Sequence, residues 1–261
     1  MLIKNNFLVI SNYNNKIDWI PEYTNNYLIY NKSEDTKIPI NIDPKKIIES
    51  KNVGYNFYDY FTFIIDNYEN LPENIIFIKG NIFPRHVTQD YFKKVMNNTY
   101  FTTIEDYKIY TPKFPISFIS SDGGFNEINN SWYLKHFETR YFNNYNDFLR
   151  FVYKNPFIPK YIRFAPGGNY IVPKNQILKL PKIVYENLKL LISYCQLPGE
   201  THIIERAIYT LWNGNFELNP DILKPFNINS KNLKKSNKNI FNETFSNIAF
   251  KLIELLSKKM I

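Results

Sequence analysis

A single α/β domain, with a mostly parallel central sheet flanked by helices, is the fold this 261-residue sequence predicts. Two features point there. Three short apolar runs, at 6–11, 27–30 and 75–79, lack polar alternation and so read as strands covered on both faces. Before the third run lies a stretch with helical spacing, and parallel strands need such crossovers. Length alone allows one large domain or two small ones.

The first strand, Asn6-Phe-Leu-Val-Ile-Ser11, empties into the polar turn Asn12–Asn15. The second, Tyr27-Leu-Ile-Tyr30, stops at Asn31-Lys32-Ser33. Residues 34–51 are polar, carry Pro39 and Pro44, and read as a loop. Apolar residues at Phe57, Tyr60, Phe61, Ile64, Ile65 and Tyr68 then trace one face of a helix, which Leu71-Pro72 ends. The third strand, Asn74–Lys79, runs into Gly80-Asn81. The middle is less regular: a helix near 90–96, a proline-punctuated stretch at 111–116, the loop Ser120–Gly124 and a helix over 145–154. Phe164–Val172 reads as a loop entering a strand. Helix resumes after Pro181 as far as Cys195, and Pro198-Gly199 opens another over 201–212. Residues 213–239 look like a linker, and apolar positions between Ile240 and Leu256 form a terminal amphipathic helix. The expected division is therefore a domain at 1–213 and an appendage at 214–261.

Composition narrows the function classes. Hydrophobic residues at 44% and charged residues at 21% exclude a disordered or collagen-like chain. Aromatics reach 18%, with 22 Phe and 21 Tyr, against only 8 Gly. Together with abundant Asn, Ile and Lys, this reads as the codon signature of an A/T-rich genome. The same bias supplies much of the +8 net charge. The C-terminal lysines lack the interleaved aromatics of a nucleic-acid surface, so a solvated tail is expected and nucleic acid is not. The single Cys195 permits no intrachain disulfide. No run approaches the ~18 apolar residues of a membrane span. The expected compartment is the cytoplasm, a host's if the genome is viral.

Ligands of open α/β sheets sit beyond the carboxyl ends of the strands, so the polar clusters there are the first candidates. One holds Asn12, Tyr13 and Asp18. A second, Lys79-Gly-Asn-Ile-Phe-Pro-Arg-His86, brings Lys79, Asn81, Arg85 and His86 to one strand mouth, as a phosphate or carboxylate site would. Its plain alternative is two basic side chains reaching solvent. The third holds Gly167, Gly168 and Asn169. On the later helix His202 and Arg206 share a face, with Glu205 beside them, either as a local ion-pair set or as a catalytic carboxylate. Asp122, in Ser-Ser-Asp-Gly-Gly, is a second carboxylate or simply a turn aspartate.

Four blocks carry a resemblance. They are Val9–Asn14 with Trp19 and Ile29–Lys32; Asn52-Val-Gly54 with the aromatic helix and Ile76–Gly80; Pro166–Ile177 with Pro181 and Tyr185; and Ile204-Glu-Arg through Trp212. Together they resemble the domain-of-unknown-function family 3431 over roughly 7–213. Tyr55-Asn56 stand where that family has Arg-Glu. The arrangement is in turn similar to GT-A (Rossmann-like) glycosyltransferases, which implies a nucleotide-sugar donor and a glycan or protein acceptor. On that resemblance Asn12, Tyr13, Asp18 and Asn52 hold the nucleotide, and Lys79, Asn81, Arg85 and His86 meet the diphosphate. Gly167 and Gly168 admit the sugar, and Glu205 is the general base. Most GT-A enzymes hold Mn or Mg through Asp-x-Asp. Here Lys79-Gly-Asn81 takes that place, leaving either no metal or Asp122 as a lone ligand. The rival expectation is a non-catalytic carbohydrate- or partner-binding module.

Overall fold

The computed structural model describes residues 2–226. Strands β1 (Phe7–Asn12), β2 (Tyr27–Asn31), β3 (Ile47–Glu49) and β4 (Asn74–Lys79) run parallel. β5 (Thr102–Thr103) lies at the far edge of the same sheet. β6 (Ser117–Ile119), β7 (Phe125–Ile128) and β8 (Tyr161–Arg163) form a separate antiparallel sheet. β9 (Tyr170–Pro173) inserts between β4 and β5, antiparallel to both. The main sheet therefore has six strands in the order β3-β2-β1-β4-β9-β5. The three strands read from apolar runs are its centre.

Those runs are apolar throughout because each face has its own core. Val9, Ile75 and Phe77 point into one, where Phe77 stacks on Trp212 at 5.6 Å. Leu8, Ile10, Ile76 and Ile78 point into the other, against Ile17, Ile20, Tyr23, Phe92 and Met96. Fully burying one such side chain is worth roughly 1.5–3 kcal/mol, so both faces hold the register.

The helices are α1 (Tyr55–Asp66), α2 (Ile82–Arg85), α3 (Gln89–Val95), α4 (Tyr145–Val152), α5 (Lys174–Ile177), α6 (Lys182–Leu191) and α7 (Gly199–Asn213). Phe57, Tyr60, Phe61 and Ile64 of α1, spaced as the sequence required, are buried against the sheet together with Tyr185 and Leu188 of α6. α1 begins two residues before the apolar spacing does, because Gly54 and Tyr55 both take left-handed backbone angles at its start.

Several segments depart from expectation for physical reasons. The loop read over 34–51 contains β3, three residues at a sheet edge and too short to show a pattern. In β7 the buried positions are Phe125 and Glu127, so a charged residue hides the alternation of a strand. Residues 214–226, within the stretch read as a linker, pack on the domain. Asn187 Nδ2 donates to the carbonyls of Ile222 and Lys224 at 2.7 and 2.9 Å, and Leu218 bridges Tyr153. The amphipathic helix read over 240–256 lies outside the described residues. Among the described residues no helix is long and apolar enough to cross a membrane.

The strand order also locates a crevice. The chain builds outward from β1 through β2 to β3, then returns to lay β4 on the other side of β1. Between β1 and β4 the winding reverses, and open sheets bind ligands there.

Candidate functional site

At that reversal β1 ends in Asn12 and β4 in Lys79. The Gly80 N–H donates to the Ser11 carbonyl at 2.8 Å, and a Cβ on Gly80 would stand 2.1 Å from Asn12 Oδ1. Only glycine lets the chain turn this tightly against Asn12. Asn12 is fully buried; its Oδ1 accepts from Asn15 at 3.2 Å while its Nδ2 has no partner. On the opposite side the equally buried Asn169 accepts from the Lys79 N–H at 3.2 Å, and its Nδ2 is likewise unpartnered. Two orphan amides thus flank the Lys79–Gly80 turn, a density of unmet donors that folded proteins seldom carry.

Lys79 is half-buried, with its ammonium 6.0 Å from the centre of the Tyr55 ring. Among the described residues it makes no ion pair. Burial pulls its pKa below the ordinary lysine range; the charge of Glu205 opposes that and Arg85 adds to it. Arg85, at the end of α2, is exposed and also unpaired among the described residues. His86 is buried and accepts or donates a 2.6 Å hydrogen bond at Nδ1 with the Tyr110 hydroxyl, whose ring stacks on it. Burial first, then Lys79 and Arg85, push its pKa down to about 4, so it is neutral at physiological pH.

The glycine loop closes over this group. Gly167 and Gly168 have φ of +90° and +70°, and a Cβ on either would come within 2.6 Å of His86 or Phe57 respectively. Glu205, on α7, holds the loop: its Oε1 accepts from the Gly167 N–H at 2.7 Å. Its Oε2 lies 3.3 Å from Arg206 and 3.9 Å from His202 Nδ1. Burial would raise its pKa, but His202, Arg206 and Lys79 together overcome that and hold it at about 2. Arg206 continues inward to the buried Glu127 at 2.8 Å and lies 3.5 Å over the Tyr133 ring. A chain of ion pairs and hydrogen bonds therefore links the small sheet through α7 to the glycine loop.

Lys79, Arg85, His86, Gly167, Gly168 and Glu205, read from distant parts of the sequence, form one neighbourhood with Asn12. Asn81 is half-buried at the start of α2, and Asn52 is half-buried in the loop before α1. Tyr13, 52% exposed, and Asp18, also exposed, follow β1 on the outside. Asp122 belongs elsewhere. It sits in the exposed turn joining β6 and β7, bonded to Ser120, Arg163 and the Gly124 N–H. Those hydrogen bonds, Ser120 first, hold its pKa near 2. It is the turn aspartate of the plainer reading, neutralised by a guanidinium.

Three site residues escape sequence reasoning. Tyr55 has φ of +49°, a strained angle for a bulky side chain, and meets Lys79 and the His202 ring, 5.3 Å away. The signal was its place after Gly54, where the family carries a charge. Asn56, also next in line there, is buried and donates to the Gly167 carbonyl at 3.4 Å. Tyr110 lies in the irregular stretch before the prolines and has no local signature.

A divalent cation fits this donor set poorly. Hard divalent ions take oxygen ligands, mostly carboxylates. Glu205 has both oxygens engaged, Asp122 is paired with Arg163, and the strand end presents an ammonium. Among the described residues no three His, Cys, Asp or Glu gather as a metal group.

No curated protein and no solved structure matches this chain. One family's sequence pattern, described as a protein of unknown function (DUF3431), matches residues 8–227. That span takes in every strand and helix described above, and with them both sides of the crevice. The chain is a member of the DUF3431 family.

Proposed function

We propose that the protein is a GT-A-like glycosyltransferase, moving a sugar from a nucleoside-diphosphate donor to an acceptor hydroxyl. The observation that carries this reading is a pair of cations without ion pairs among the described residues, Lys79 and Arg85, at the winding reversal of a mostly parallel sheet. Buried or half-buried charges are normally paired, so an unpaired ammonium in a crevice calls for an anionic ligand. When the bond from the sugar to the diphosphate breaks, its electron pair stays on the leaving phosphate oxygen, the acceptor oxygen bonds to the freed sugar carbon, and the hydroxyl proton passes to the departing diphosphate or to solvent. Fixed cations stabilise that charge without reorganising. On this reading Asn12, Tyr13, Asp18 and Asn52 are the residues offered to the nucleoside, and the glycine loop lets the sugar approach the backbone.

Glu205 enters this reading in a different part from the one its sequence suggests. A carboxylate held near pKa 2 is a weak proton acceptor. Its bond to Gly167 makes it the support of the glycine loop. Because both its oxygens are engaged, a second reading has an observation of its own: a carbohydrate- or partner-binding module on a transferase-like fold, without turnover. Incubation with a panel of nucleotide sugars and an acceptor mixture separates the two. Transfer predicts release of nucleoside diphosphate that Lys79→Ala abolishes. Binding without release supports the module, and neither binding nor release refutes both.

A further inference from the structure

We infer that Lys79 and Arg85 neutralise the diphosphate themselves, so that a nucleoside diphosphate binds this protein with no divalent cation. This rests on the nucleotide reading just given and adds what balances the ligand's charge.

The chemistry of the crevice is cationic where a metal site would be anionic. β4 ends in Lys79-Gly80-Asn81, which offers an ammonium and an amide, and α2 adds the Arg85 guanidinium. A diphosphate esterified at both ends carries two negative charges, a nucleoside diphosphate nearly one more at neutral pH, and Lys79 and Arg85 supply two positive charges without ion pairs among the described residues. A guanidinium grips phosphate through paired N–H donors, and an ammonium acts on it as a point charge. A divalent ion placed among these groups would meet the charges of Lys79 and Arg85.

The buried carboxylates of these elements have partners of their own. Glu205 is bonded to Gly167 and paired with Arg206. Asp59, at the neighbouring strand ends, is 3.2 Å from Lys32 and accepts from Ser11 and Ser50. Glu105 is buried and its Oε2 accepts from the Phe125 N–H at 3.1 Å, while its Oε1 has no partner among the described residues. Freeing any of them would leave a buried group unpaired. His86 has its Nδ1 engaged with Tyr110, which leaves Nε2 as one neutral donor, and the charges of Lys79 and Arg85 act on it.

The test is calorimetric titration of the full chain with UDP, GDP, ADP, CDP and dTDP, first in EDTA and then in millimolar Mn²⁺. The inference predicts that the tightest of these binds with the same Kd, within about twofold, under both conditions. Lys79→Gln should weaken it by about tenfold or more and Arg85→Gln by about threefold or more, in the range expected for charge-assisted phosphate contacts. Melting temperature without ligand checks that both variants fold. Binding seen only with Mn²⁺, or insensitive to both substitutions, overturns the inference while leaving the nucleotide reading intact. No binding by any of the five in either condition overturns the nucleotide reading and this inference with it.

Discussion

Two lysines stand at the carboxyl end of the sheet, on either side of β1, and they are treated oppositely. Lys32, just after β2, has its ammonium 3.2 Å from Asp59 and donates to the carbonyls of Lys51 and Val53, both at 2.9 Å. Every proton it carries has a partner, and the three partners pin the loop that leads into α1. Lys79, at the end of β4, has no ion pair among the described residues, and its neighbours include a second cation. One lysine is a structural clamp; the other, on the proposed reading, keeps its charge for an anion outside the chain. What separates the two lysines is their partners.

The largest effect that would break the comparison falls on Lys32. Lys32→Met strands the fully buried Asp59 carboxylate, and breaking one side of a buried pair costs about 3–5 kcal/mol. Denaturant unfolding should show that loss at neutral pH; a loss below about 1 kcal/mol would place Lys32 in the same class as Lys79.

The next effect is a pH dependence that sharpens the cationic half. His86 is held at about 4 in the folded chain against an ordinary 6.5. As pH falls through 6.5 the unfolded chain takes a proton that the folded chain refuses. Stability therefore declines between pH 6.5 and 4, by about 3 kcal/mol at most. His86→Gln should flatten the unfolding free energy across that window. Pyrophosphate should flatten it too, because an anion beside Lys79 and Arg85 lets His86 accept the proton. An equal decline in the variant would assign the dependence to other groups.

A smaller effect concerns the loop above the cations. Gly167→Ala forces a side chain into a left-handed angle and into His86, at a cost of about 1–3 kcal/mol. Thermal unfolding and the affinity for nucleoside diphosphates should both fall. Unchanged affinity in a destabilised variant would show that the loop does not border the ligand.

What the sequence made legible follows distance along the chain. The central strands could be read because Ile, Leu, Val and Phe fill them on both faces, as in Leu8–Ile10 and Ile75–Ile78. Lys79, Arg85 and His86 could be read because they follow such a strand directly, and Gly167 and Gly168 because two glycines before a strand stand out in a glycine-poor chain. The roles were harder. Glu205 could be read either as part of an ion-pair set or as a catalytic carboxylate, because its loop partner and the Glu127 behind Arg206 come from other elements entirely. Lys32 and Asp59 gave no local sign of each other. The small sheet was hidden by its short strands and by a buried charge in β7.

The account stands on the claim that Lys79 is kept for an anion, and one pair of melting curves tests it directly. Wild type and Lys79→Met are melted with inorganic pyrophosphate raised from zero to millimolar levels. Without ligand the two should melt within about 2 °C of each other, since removing an unpaired ammonium strands nothing. With pyrophosphate the wild-type midpoint should climb with concentration, as binding to the folded state requires, while the variant stays flat. An equal climb in both proteins, or none in the wild type, would contradict the claim.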